Sequence, residues 1–115
     1  MISGPPITHS QPTLDAQDAR AVAQTVRSGW LAQGARVEAF ERKMAAFVGV
    51  RGGVAVSSGT AALKLALLAI GVKSGDEVIL PSYVCAAPWL VVHQIGATPK
   101  LVDIEPDSYA IDPVQ

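Results

Sequence analysis

The chain has 115 residues, the length of about one domain, and half of them are apolar. Nine basic side chains against ten acidic ones leave a net charge of −1 with no basic stripe, which excludes the electrostatic footprint of a nucleic-acid binder. Aromatic residues are only 5% of the chain, so Ala, Val, Leu and Ile must fill the core, which suits a helix-covered parallel sheet better than a β-sandwich.

Residues 1–13 read as an N-terminal arm. Pro5-Pro6-Ile7 is expected to be extended, because proline disfavours helix at its own position and at the one before it. From Leu14 the pattern turns helical, with Asp15 or Thr13 as the cap and Val22 and Val26 on one face, until Gly29 stops it. Trp30-Leu31-Ala32-Gln33-Gly34 is a loop. A second helix sets Val37, Phe40, Met44 and Phe47 at spacings of three and four and ends at Gly49.

Three strand–helix units follow in residues 14–115, the expected extent of an incomplete α/β domain. Val54 to Val56 is the first predicted strand, Thr60 to Ile70 the helix after it, and Gly71 its stop. Gly75-Asp76 turns into a strand over Glu77 to Leu80, with Val78 to Leu80 as its apolar centre, and Pro81 ends it. Ala86 to Ile95 is a helix closed by Gly96, and Pro99 leads into the strand Lys100 to Asp103, paired through Leu101 to Asp103. Short links between such units imply right-handed crossovers and at least three parallel strands with flanking helices. Ser57, Pro81 and Asp103 then lie at or just past the carboxyl ends of their strands, where open α/β sheets bind ligands.

The Ser57-Ser58-Gly59-Thr60-Ala61 turn opens a helix. Backbone N–H groups in a first helical turn lack partners, and the helix dipole adds positive charge there. Gly59 lets an anion approach the backbone beside two hydroxyls, so the turn suits a phosphate or carboxylate; Ser58 as a simple helix cap is the other reading.

Other chemistry is thinly represented. Cys85 is the one cysteine, and His9 and His93 are far apart, so neither a disulfide framework nor a zinc spacing is present and no metal site is expected. Met1 is followed by Ile2-Ser3-Gly4-Pro5-Pro6, without a signal-peptide pattern, and every apolar run is broken before a membrane-spanning length. A cytoplasmic protein is the expectation. Asp112-Pro113 has the form of a helix start just before Gln115, which leads us to expect the amino-terminal portion of something larger.

The ordered pieces Ser28-Gly29-Trp30-Leu31-Ala32-Gln33-Gly34, Val37-Glu38-Ala39-Phe40-Glu41, Val54 to Leu63, Gly75 to Tyr83, Gly96-Ala97-Thr98-Pro99 and Val102 to Asp107 resemble the DegT/DnrJ/EryC1/StrS sugar aminotransferases. Those belong to the pyridoxal 5′-phosphate-dependent transferases of fold type I, and the likeness covers the N-terminal part of their large domain. The resemblance implies that Ser58, Gly59 and Thr60, with Ala61 beside them, hold the cofactor phosphate. It also implies that the position of Cys85 faces the cofactor ring, where the family usually carries Phe or Trp four residues after the proline that Pro81 matches. Tyr83 and Trp89 are the nearest aromatics, and Trp89 is read as core. Gln33, in the loop that the family sets near its active site, is the substrate-binding candidate.

The same resemblance implies a homodimer that moves an amino group from glutamate or glutamine to a nucleotide-linked keto sugar. Such chemistry needs a lysine that bonds the cofactor. Lys43, Lys64, Lys73 and Lys100 lie on predicted helix surfaces, in a turn or at a strand start, and none matches the family's lysine motif. The expectation is therefore a fragment of such an enzyme, inactive by itself and with no catalytic residue of its own. A non-catalytic remnant that binds phosphate or a partner subunit is the alternative. A nucleotide-binding oxidoreductase lacks its Gly-x-Gly-x-x-Gly turn here.

Overall fold

The computed structural model describes residues 10–115, so the Pro5-Pro6-Ile7 arm and His9 lie outside the described residues. It divides into two compact units, one ending at Val54 and the other spanning Ala55–Gln115.

The first unit carries helices α1 (Ala16–Arg27) and α2 (Ala35–Val48). Asp15, not Thr13, caps α1. Its carboxylate accepts from the N–H groups of Gln17 at 2.6 Å and Asp18 at 3.1 Å, while Asp18 accepts from the Asp15 N–H at 3.0 Å. Two orphan donors and the cap backbone are thus satisfied reciprocally, which pins the helix start. Helix α2 stops where Gly49 turns left-handed, as its position after the apolar stripe predicts. Ala45 is its buried residue.

The second unit runs α3 (Gly59–Ala69), β1 (Glu77–Pro81), α4 (Ala86–Ile95) and β2 (Thr98–Val102). Strands β1 and β2 pair in parallel, from Glu77 opposite Thr98 to Pro81 opposite Val102, with α4 as the crossover between them. Helix α4 packs on both strands and α3 packs on α4. Leu80, Val92 and Ala97 form the core, with Leu67, Val72 and Val78 against it. Gly71 and Gly96 take positive φ (89° and 85°), and the next residue's N–H reaches back to Leu67 and Val92 respectively. That backbone closes orphan carbonyls at both helix ends and favours glycine at each.

The chain is α/β with parallel strands and flanking helices, but the expected third strand is corrected. Among the described residues the sheet holds two strands, and Val54–Val56 is in neither. Three apolar residues between Gly53 and Ser57 have the composition of a strand, but composition measures fit to a half-buried pleated surface and does not by itself set sheet pairing. Strand β2 also begins earlier than the apolar run suggests, at Thr98. Pro99 is accommodated opposite Val78, since in a two-stranded sheet a proline can turn its missing N–H away from the partner. Among the described residues, no helix is long and apolar enough to cross a membrane.

Candidate anion-binding turn and the carboxyl edge of the sheet

The start of α3 is the first element of the site. Ser58 is extended (φ −162°) and caps the helix, its hydroxyl oxygen accepting from the Ala61 N–H at 3.2 Å. The cap reading is therefore realised, and it does not exhaust the turn. Among the described residues the N–H groups of Gly59 and Thr60 have no hydrogen-bond partner, and both residues are exposed. A Cβ built on Gly59 would meet nothing within 4 Å, so the space beside the Gly59 α-carbon is open. The Ser58 O–H proton and the Thr60 hydroxyl remain able to donate to an incoming anion. Of the four residues predicted here, only Ala61 has its N–H already committed.

The second element is the carboxyl edge of the sheet. The Ser82 N–H donates to the Val102 carbonyl at 2.8 Å, one step past the last strand pair. Its hydroxyl donates to the Asp103 carboxylate at 3.3 Å. The loop then passes through Tyr83 and Val84 to Cys85, which is exposed and precedes α4 without a side-chain capping bond. Ser82 to Cys85 line a shallow opening. The ring of Tyr83 lies 5.8 Å from that of Tyr109, tilted by 41°. Sequence reasoning missed the Ser82–Asp103 bond and the Tyr83–Tyr109 pair; the polar residue just after each strand was a signal for the first, and nothing announced the second.

Trp89 is corrected. It is not core but 40% exposed, stacked on His93 one helical turn later at 5.3 Å. Residues four apart share one face of a helix, and both side chains are exposed while Val91 and Val92 are buried.

Gln33 belongs to the first unit, in the loop between α1 and α2. Its side chain is exposed, and its carbonyl accepts from the Trp30 indole N–H at 3.1 Å. Beside it a cleft of about 570 Å³ is walled by Trp30, Leu31, Ala35, Arg36 and Val37. Lys43, Lys73 and Lys100 are exposed, and Lys64 is half-buried with its ammonium on the Gln94 amide oxygen at 3.4 Å. Among the described residues no cluster of three His, Cys, Asp or Glu side chains is arranged for a metal ion.

An α/β unit with unpaired N–H donors at a helix start and a loop-lined opening at a sheet edge is compatible with many ligand-binding folds, and comparison with known proteins narrows the class. The sequence profile of the DegT/DnrJ/EryC1/StrS aminotransferase family matches residues 12–115. The chain belongs to that family. It is 41% identical over 109 residues to the spore coat polysaccharide biosynthesis protein SpsC of Bacillus subtilis, covering 95% of this chain and 28% of SpsC. It is 45% identical over 94 residues to the erythromycin biosynthesis sensory transduction protein EryC1 of Saccharopolyspora erythraea, covering 82% of this chain and 26% of that protein. The pyridoxal phosphate form of the sugar aminotransferase Spr1654 from Streptococcus pneumoniae superposes with a TM-score of 0.86 at 36% identity, over 92% of this chain and 27% of that one. The chain thus spans about a quarter of the length of these relatives.

Proposed function

We propose that this chain is the N-terminal part of a pyridoxal phosphate-dependent aminotransferase that moves an amino group from glutamate or glutamine to a nucleotide-linked keto sugar. The observation that carries the reading is the pair of N–H groups of Gly59 and Thr60, on exposed residues and without a hydrogen-bond partner among the described residues, at the start of an eleven-residue helix. Such a terminus favours a phosphate dianion through directed donors and the helix dipole together.

Pyridoxal phosphate, when bound, supplies an electron sink for passing an amino group between carbonyl carbons. The residues present fit its phosphate. Ser58, Gly59 and Thr60 would hold it, with Ala61 shaping the turn. Cys85, at the head of α4, would lie against the ring and offer less contact area than an aromatic residue there. Gln33 would meet the sugar substrate. Residues 14–115 would form the start of the cofactor-binding domain, with residues 1–13 as an arm.

None of the four lysines is proposed to bond the cofactor, so the 115-residue chain by itself is inactive and the bonding lysine belongs to a longer protein. That protein is a cytoplasmic homodimer in this reading. The test is amino transfer by the whole protein carrying this chain, supplied with cofactor, amino donor and a panel of nucleotide-linked keto sugars. Amino-sugar formation by the whole protein and none by the 115 residues alone is expected. A whole protein that binds phosphate but carries out no transfer would favour the non-catalytic alternative.

A further inference from the structure

We infer that Tyr109 is a positioning residue: through the ring of Tyr83 it holds the loop from Ser82 to Cys85 in place. Its bearing on cofactor orientation rests on the reading of Cys85 given above.

Tyr109 is the sole non-glycine residue with positive φ among the described residues, at 56°. A left-handed backbone brings Cβ against the following carbonyl, so a bulky side chain there is an outlier. Such a conformation persists only where its surroundings over-determine it. Here they do. The Tyr109 N–H donates to the Glu105 carbonyl at 2.9 Å, and the Glu105 N–H donates to the Ala110 carbonyl at 2.9 Å. The Ser108 hydroxyl donates to the Glu105 carboxylate at 2.7 Å and accepts from the Ala110 N–H at 3.1 Å. An antiparallel bridge between Ile104 and Ile111 closes the loop's base.

Glycine or asparagine would take this backbone at less cost, so the tyrosine calls for a use of its ring. That ring meets Tyr83 within the range of aromatic pairs. Core burial does not account for the contact, since Tyr83 is 73% and Tyr109 63% exposed. Tyr83 and Val84 make no hydrogen bond among the described residues, whereas Ser82 is tied to Val102 and Asp103. The ring pair is therefore what fixes the tip of a loop otherwise anchored only at its ends. Cys85 follows that tip directly, at the head of α4.

Three variants of the whole protein test this. Tyr109→Phe keeps the ring, Tyr109→Leu removes it and keeps the strain, and Tyr109→Gly removes it and relieves the strain. The first readout is hydrogen exchange at the Ser82 amide, which reports opening of the loop from Val102. Exchange is expected to be about tenfold faster in the Leu and Gly variants and within about twofold of the parent in the Phe variant. The Gly variant is expected to loosen the loop without lowering the melting temperature, which separates ring loss from general destabilisation. Unchanged Ser82 exchange in Tyr109→Gly overturns the proposal, even if Tyr109→Leu fails to fold.

The second readout is the induced circular dichroism of bound pyridoxal phosphate, which follows ring orientation. It is expected to change in the Gly variant and to be restored in the Phe variant. A loosened loop with unchanged dichroism overturns the link to the cofactor. A protein that takes up no cofactor at all refutes the functional reading instead, while Ser82 exchange still decides the clamp.

Discussion

The indole of Trp30 lies against the α-carbon of Gly34, so closely that a Cβ on Gly34 would collide with the indole nitrogen. Gly34 has an extended backbone (φ 179°), which any residue adopts, so its requirement is space and not conformation. The indole N–H closes the arrangement by donating to Gln33.

Gly34→Ala is therefore expected to push Trp30 off the loop and break the bond to the Gln33 carbonyl. In the 115-residue chain carrying Trp89→Phe, the remaining tryptophan emission reports Trp30 alone. A clear change in its wavelength and quenching is the expected result, and an unaltered spectrum would show that the indole is not held there.

Leu80→Ala removes a side chain from the core made with Val92 and Ala97. A cost of about 2–5 kcal/mol is expected in urea unfolding of the whole protein, from lost burial plus the cavity left behind. Phe47→Ala, at a side chain 86% exposed in this chain, serves as the contrast. Its cost is expected to stay within about 0.5 kcal/mol if that surface is free in the whole protein, and to exceed this if another segment covers it.

The 115-residue chain alone is expected to self-associate. Leu65 and Leu68 on α3, Ile70 just after it and Leu90 on α4 are exposed, and among the described residues each strand of the two-stranded sheet has a neighbour on one side only. Apolar patches and open strand edges are templates for association. Sedimentation that finds a monomer with a cooperative melt would contradict this.

Much of this fold can be read from local chemistry. Asp15 with Asp18, the stops at Gly49, Gly71 and Gly96, and the run Glu77 to Leu80 are each set by residues within a few positions of one another. Part of what could not be read depends on neighbours distant in sequence. Val54–Val56 has strand composition but lies in neither strand of the sheet, and the place of Pro99 follows from its register with Val78. Trp89 has the composition of a core residue, but Val91 and Val92 take the buried side of α4. In the candidate site, the Ser58–Thr60 turn is a local motif and was legible. Tyr109 was not, because its backbone is fixed by a set of hydrogen bonds that no spacing rule encodes.

Borohydride reduction of the 115-residue chain mixed with pyridoxal phosphate is expected to leave no lysine labelled stoichiometrically. Hydrogen bonds to a charged phosphate contribute about 1.5–3 kcal/mol each before the cost of immobilising the ligand, whereas micromolar binding needs about 8 kcal/mol. The two N–H groups and two hydroxyls of the turn fall short once the cost of association, about 4–15 kcal/mol, is subtracted, unless a covalent bond to lysine is added. Stoichiometric labelling of Lys64, the half-buried one, or of Lys43, Lys73 or Lys100 would show that a lysine of this chain was misjudged.

The central claim is that the Gly59 and Thr60 donors hold a cofactor phosphate, and cofactor affinity tests it most directly. In the whole protein, Gly59→Val fills the open space before the turn, and Thr60→Ala removes the hydroxyl beside it. The double variant is expected to raise the dissociation constant for pyridoxal phosphate by at least about tenfold, equivalent to about 1.4 kcal/mol, with the far-ultraviolet spectrum unchanged. An unchanged dissociation constant in the folded double variant would contradict the account.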